Sequence, residues 1–250
     1  MHCSRFVALL ALLLSACAAL SQATPERPYY SRLNTFGVFG EYSNDSSHIL
    51  LGISQNRKLL DFGGAYSRRV LLNRFVDGQY MIELRPVMLE SDPLYRETVT
   101  ETSPPPARTL PSMDLTYSQS CHPSATSYNS VLQGVTYSET ITIACGSRQW
   151  TFGEGFSPAG FKLNFLPHRR IQPVFTALAG YMFSTKPIPV SAASSASFTF
   201  SVGAGLEFYR SGTRSIRAEY RLHHISNANT ADENPGIDSQ LVQITYAFGH

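Results

Sequence analysis

Ala196-Ser197-Phe198-Thr199-Phe200-Ser201-Val202-Gly203-Ala204-Gly205-Leu206-Glu207-Phe208-Tyr209 is the most regular alternation in the chain. Successive side chains of a strand point to opposite faces. Phe198, Phe200, Val202, Ala204, Leu206 and Phe208 therefore share one face, and Thr199, Ser201, Gly203, Gly205 and Glu207 share the other. Composition says which face meets what. Only 15% of the 250 residues are charged and 12% are aromatic, yet mean hydropathy is near neutral at −0.11. Strands with an apolar outside toward lipid and a polar inside average to such a value. The net charge of +2 gives no footprint for nucleic acid.

The pattern extends both ways from this stretch. Toward the C-terminus, Arg210–Thr213 is a turn and two more strand-like runs follow, Ser215–Ser226 and Asp238–Phe248. Toward the N-terminus, a Pro- and Ser-rich loop at 185–195 follows a run at 171–184, and a tight turn at 167–170 follows one at 158–166. Gln79–Glu90 alternates again, with Tyr80, Ile82 and Leu84 opposite Met81, Glu83 and Arg85; runs at 59–72 and 47–54 come before it, and Asp77-Gly78 is a turn signal. Eight strands result, and single-chain bacterial barrels have even strand numbers. The expected fold is all-β, an eight-stranded antiparallel transmembrane β-barrel over 47–250. Phe36–Ser43 is accessory to it or an alternative first strand, within an N-terminal segment of 24–46 in which 24–35 reads as a linker.

Between Ser91 and Gln149 the alternation breaks around Pro104-Pro105-Pro106 and many Ser and Thr residues. We read 91–149 as one long extracellular loop with a small hairpin near Val131–Ala144. With both termini periplasmic, this loop and those at 185–195 and 227–237 fall on the outer side, and the short turns fall on the inner side. Cys121 and Cys145 bracket about two dozen residues, and in an exported chain they are expected to pair as a disulfide. The chain-entropy account assigns such a closure roughly 3 kcal/mol.

Export is expected from Arg5 followed by the apolar run Phe6–Leu14, too short for a permanent span. Ser21-Gln22-Ala23 fits ordinary cleavage, making 1–23 a signal peptide. Leu14-Ser15-Ala16-Cys17 also resembles a lipoprotein box with Cys17 as the lipidated residue. Ordinary cleavage is favoured because a barrel needs no further anchor.

Charged residues on the inner parity, Glu83, Arg85, Lys162, Glu207, Arg217, Glu219 and Arg221, belong in a narrow lumen that side chains fill, where they are expected to pair. Three polar residues break this division. His224 and Ser226 continue the lipid-facing parity of Ile216, Ala218, Tyr220 and Leu222, and Asp238 has the parity of Val242, Ile244, Tyr246 and Phe248. A Ser hydroxyl needs a base within reach, and the base needs an orienting acceptor. His224 and Ser226 are neighbours on one face, and Asp238 can come alongside from the next strand. Asn227 is placed to serve as an oxyanion donor, with turn N–H groups beside it. His223 has inward parity. His48, His122, His168 and His250 have no evident partners, and Trp150 reads as an interface aromatic. No metal centre is indicated.

His224-Ile225-Ser226-Asn227-Ala228, followed by Asn234-Pro235-Gly236-Ile237-Asp238-Ser239, resembles the signature of the lipid A 3-O-deacylase (PagL) family, also called acyloxyacyl hydrolases. The resemblance implies an eight-stranded outer-membrane barrel that hydrolyses the ester-linked acyl chain at position 3 of lipid A. It implies His224 as base, Ser226 as nucleophile and Asn227 in the oxyanion hole. The family's acid is usually Glu where this chain has Asp238, so a shorter side chain must be brought closer; Asp232 and Glu233 are the other acids of the turn. Lipopolysaccharide is the implied substrate, outer-membrane lipid the surroundings, and no cofactor is implied. A homodimer stays open beside a monomer. Two rivals remain at this level: a non-catalytic structural or adhesive barrel, and a lipoprotein with a soluble β-sandwich.

Overall fold

The computed structural model describes residues 29–44, 46, 56–115 and 121–250. The leader at 1–23, Cys17 and the expected strand at 47–54 lie outside the described residues. The described chain forms eleven strands: β1 (Asn34–Ser43), β2 (Lys58–Leu72), β3 (Val76–Ser103), β4 (Arg108–Thr109), β5 (Met113–Leu115), β6 (Ser124–Leu132), β7 (Val135–Phe165), β8 (Ile171–Ser184), β9 (Ala196–Ser211), β10 (Arg214–Ser226) and β11 (Ile237–Gly249). Eight of them close a ring in the order β1-β2-β3-β7-β8-β9-β10-β11, with β11 returning to β1 and every pairing antiparallel. Closure leaves no barrel strand with an unpaired edge, which a sheet in lipid requires.

The first barrel strand is therefore β1, and the barrel begins at Asn34 instead of residue 47. Phe39 explains the misreading. It points inward at 5% exposure, while Phe36, Val38 and Tyr42 point outward, so apolar residues occupy both parities and blur the alternation. The expected outer and inner sides survive the shift. The other expected strands sit where alternation put them, with Phe198, Phe200, Leu206 and Phe208 exposed and Ser201 and Glu207 buried.

One turn and the long excursion differ from expectation. Asp77 and Gly78 lie within β3; the turn is at 73–75, where the Asn73 side-chain oxygen accepts from the backbone N–H groups of Phe75 and Val76. The 91–149 excursion is mainly strand. β3 and β7 run on past the barrel as a ribbon paired from Ser91–Trp150 out to Ser103–Ser138. Their side chains there meet no lipid on one face and no lumen on the other, so no hydrophobic alternation marks them. β6 adds to the ribbon edge through a tight turn at Gln133-Gly134, both with positive φ. This hairpin starts earlier than Val131. The expected disulfide joins Cys121 to Cys145 at a Cα separation of 5.9 Å.

The lumen is filled by ion pairs. Arg221 bonds both oxygens of Glu83, each at 2.9 Å, and reaches Glu219 at 3.1 Å. Arg85 pairs with Glu41 at 2.7 Å and Glu83 at 2.6 Å, and Arg217 pairs with Glu219 at 2.7 Å. Nearer the inner mouth, Glu207 receives Lys162, Asn164, Ser215 and Arg32. Arg32 precedes β1, and Tyr30 donates its backbone N–H to Pro167. The described part of the expected linker thus folds under the barrel and stoppers it. His168 packs on Tyr29 with the rings tilted and their centroids 4.8 Å apart. A closed antiparallel barrel, apolar outside and charged within, is an outer-membrane barrel.

Removing one member of a buried ion pair leaves its partner uncompensated, at about 3–5 kcal/mol. Arg221→Leu leaves Glu83 with Arg85 alone and Glu219 with Arg217 alone. It is expected to lower unfolding stability by about that much in a urea titration of the detergent-folded barrel.

Candidate active site

The register of β10 on β11 builds the site. His224 lies directly opposite Asp238, between the His223–Ser239 and Ile225–Ile237 pairs. Directly opposed residues hold their Cβ atoms about 4.5–5.5 Å apart on one face. A carboxylate one methylene shorter than Glu can therefore still reach the ring. His224 Nδ1 lies 2.7 Å from Asp238 Oδ1, with the two side chains 27% and 11% exposed. Beside an ionised carboxylate, which only accepts hydrogen bonds, Nδ1 is the donor of this pair.

Ser226 is two residues beyond His224 on the same face, at the outer end of β10. Its hydroxyl donates to Asn234 Oδ1 at 3.0 Å, and the same oxygen accepts the Asn227 backbone N–H at 3.1 Å. The backbone N–H of Ala228 donates to Ser226 Oγ at 3.2 Å. Asn234 thus gathers the hydroxyl and a backbone donor around one point. Ala228 and Asn229 adopt positive φ there, of 53° and 61°, and the turn holds them in this conformation with side-chain bonds of its own.

The Asn227 side chain supplies those bonds. Nδ2 donates to the Glu233 carbonyl at 2.7 Å, Oδ1 accepts from the Asn229 N–H at 2.9 Å, and the residue is 3% exposed. An oxyanion role for this side chain, as expected from sequence, does not fit that arrangement, because its amide hydrogens point into the turn. The backbone N–H groups of Asn227 and Ala228 lie beside the hydroxyl and are engaged by Asn234 Oδ1 and Ser226 Oγ. Asp232 and Glu233 are exposed in the turn, whereas Asp238 holds the imidazole. His223 points into the lumen at 2% exposure.

Sequence reasoning missed two supports. On the β9 side, Phe200 pairs with His224 and Phe198 with Ser226. Both rings are about half exposed, and Phe198 lies 5.5 Å from the Tyr181 ring. This forms an apolar wall against the polar pair, readable in principle from the parity of β9 and the short β9–β10 turn. The second support is the 185–195 loop. Ile188 is buried in a cluster with Met88, Met182, Ile225 and Ile237, on the inner side of the two strands that carry the site. Ala192 accepts the Glu233 N–H at 3.2 Å. No local pattern marks that contact, since it joins segments far apart in the chain.

Fold and site together define an outer-membrane β-barrel with Ser, His and an acid on its lipid-facing rim. The family model described as lipid A 3-O-deacylase (PagL) matches residues 114–247, more than half of the chain and the whole hairpin of the site. The chain belongs to this family, which implies a hydrolase acting on lipid A. Among solved structures, it is similar to Neisserial surface protein A (NspA), with 8% identity, a TM-score of 0.44, and coverage of 87% of this chain and 97% of that one. It is also similar to the outer membrane protein OprG from Pseudomonas aeruginosa, with 9% identity, a TM-score of 0.37, and coverage of 89% and 100%. No curated protein matches the chain significantly.

Asn227→Ala removes two bonds that close the turn. It is expected to expose residues 228–233 to limited proteolysis and to lower activity roughly tenfold or more, while the heat-modifiable gel shift of the barrel persists. Unchanged protease resistance would mean that the side chain does not hold the turn.

Proposed function

We propose that the protein removes the ester-linked acyl chain at position 3 of lipid A, with Ser226 as nucleophile, His224 as general base and Asp238 as the acid that orients the imidazole. The observation that carries this reading is the 2.7 Å contact from His224 Nδ1 to Asp238 Oδ1 on a lipid-facing wall. A membrane barrel gains nothing in stability from an imidazole and a carboxylate turned toward lipid, since ionisable groups there are unfavourable. Chemistry at that face accounts for their presence.

In the reaction, the Ser226 hydroxyl rotates from Asn234 toward His224. Its proton passes to Nε2 as Oγ attacks the ester carbonyl carbon. The charge that develops on the carbonyl oxygen is met by backbone N–H groups of the turn, that of Asn227 once it leaves Asn234 Oδ1 and that of Ala228 once Ser226 Oγ has turned away. Collapse of the tetrahedral intermediate breaks the bond to the sugar oxygen, which takes the proton from Nε2. An acyl-Ser226 ester remains. Water, deprotonated by His224, then attacks this ester, the fatty acid leaves, and Ser226 regains its proton. Asp238 stabilises the imidazolium in both halves. The apolar wall of Phe198 and Phe200 lets the acyl chain stay in contact with hydrocarbon while its ester sits at the rim. Substrate therefore arrives sideways from the outer leaflet, with no need to leave the bilayer.

Ser226→Ala and His224→Ala are each expected to reduce release of 3-hydroxy fatty acid from lipopolysaccharide in detergent by about 10³-fold or more. Asp238→Asn should lower it by about 10³–10⁴-fold, because the amide no longer fixes the productive tautomer. Mass spectrometry of lipid A before and after incubation reads the product directly. Full activity in the Ser226 and His224 variants would rule out this site.

A further inference from the structure

The outer ribbon carries a cleft that the esterase reading does not use. It lies on one face of the sheet formed by β3, β7 and β6, and encloses about 720 Å³, within the usual range for small-molecule sites. Its floor is fixed by register. Glu101 on β3 lies opposite Glu139 on β7, which lies opposite Tyr128 on β6; one step outward, Tyr137 lies opposite Ser130. Directly opposed residues share a face, so Tyr128 and Tyr137 form a diagonal aromatic pair on one side of the ribbon. Both rings are exposed, at 53% and 42%. The run Pro104-Pro105-Pro106, between β3 and β4, supplies a wall.

The polar groups around this platform are mostly uncharged or neutralised. Arg108 donates through Nε and Nη2 to the two carboxylate oxygens of Glu101. Ser130, opposite Tyr137, contributes a hydroxyl, and Ser103 lines the cleft with its own hydroxyl donated to the Thr136 carbonyl at 2.8 Å. Among the described residues, none is paired with the Glu139 carboxylate in a salt bridge. The cleft thus offers flat apolar rings, the Ser130 hydroxyl, one neutral ion pair and one free acceptor.

A pyranose ring matches this set. Its C–H faces lie on aromatic and proline rings, and its hydroxyl edge donates to a carboxylate, a charge-assisted bond stronger than a neutral one. A free carboxylate disfavours phosphorylated or other polyanionic ligands. Position agrees with chemistry. Glu139 is eleven residues along β7 from Trp150, the exposed aromatic near the barrel rim, so the cleft stands up to about 36 Å beyond it at the rise of an extended strand. On the outer side of an outer membrane, that height is occupied by the sugar chains of lipopolysaccharide.

We propose that this cleft is a binding site for a neutral saccharide chain, with Tyr128 and Tyr137 as the stacking platform and Glu139 as the hydroxyl acceptor. It is independent of the hydrolytic site, and binding requires no turnover.

The test uses the full chain in detergent micelles and isothermal titration with two lipid-free probes: the polysaccharide released by mild acid from smooth lipopolysaccharide, and the core oligosaccharide from rough lipopolysaccharide. Saturable binding in the micromolar-to-millimolar range is expected for the first. Binding of the polysaccharide alone assigns the ligand to its repeat units, and equal binding of both assigns it to the core; either result supports the site. Tyr128→Ala and Tyr137→Ala should each weaken binding roughly tenfold. Thr142→Ala, on the opposite face of the ribbon, should leave it unchanged. Deacylation of rough lipopolysaccharide in detergent should stay at the wild-type rate in both tyrosine variants, which separates this site from the catalytic one. Failure of both saccharides to bind overturns the proposal. So does binding that survives the Tyr128→Ala/Tyr137→Ala double variant, or capture of a lysine-rich peptide in place of either saccharide.

Discussion

The structure depends on one register, that of β10 against β11. His224 faces Asp238 only because Arg221 pairs with Leu241 and Glu219 with Gln243 further down the same two strands. A slip of one residue in β10 would turn Arg217, Glu219 and Arg221 toward lipid, at about 2–4 kcal/mol for each Arg near the midplane. It would also empty the lumen of the groups that neutralise Glu83. The charges inside the barrel therefore fix where the reactive groups sit outside it. Buried ion pairs are weak contributors to net stability against well-packed apolar residues. Here their stronger effect is to forbid the alternative pairing.

The same division of labour explains how the short Asp238 side chain reaches His224. Reach is set by strand pairing, not by side-chain length alone. Direct opposition brings the Asp238 carboxylate to the ring without a bulge or a bend, and the register shifts of the barrel fall elsewhere, in β2, β3, β7 and at Arg214/Ser215. Behind the pair, Ile225 and Ile237 pack on Ile188. The outer mouth is thus sealed by apolar contact beneath the site and by Arg57, which bonds Asp92 and the Pro189 carbonyl. The inner mouth is sealed by Arg32. The reactive face is supported from within by a packed interior.

How much of this was legible in the chain follows from which residues face two different media. Where one face meets lipid and the other a charged lumen, as in Ala196–Tyr209, alternation is strong and the strand is evident. β1 hid because Phe39 breaks the division. The ribbon hid because both of its faces meet water beyond the barrel, so nothing demands alternation there, and Ser- and Thr-rich strands look like loop. The His224, Ser226 and Asp238 parity was readable since it rests on counting by twos. The bond from Asn234 to Ser226 and the packing of Ile188 were not, because each depends on how a turn folds back over a neighbouring strand.

The turn between β10 and β11 holds its parts in tension. Asn234 Oδ1 accepts both the Ser226 hydroxyl and the Asn227 N–H, so one carbonyl oxygen holds the hydroxyl and a backbone donor together. An ester entering from the bilayer offers an oxygen of the same kind to the same backbone donor. Exchange of one acceptor for the other frees the hydroxyl to turn toward His224. On the proposed mechanism, the bond from Ser226 to Asn234 is the one that substrate is best suited to displace, and ordering of the nucleophile is coupled to occupancy of the site. Such coupling draws on a turn whose positive-φ residues and Asn227 bonds hold it ready before substrate arrives, so that little reorganisation is left for the reacting step.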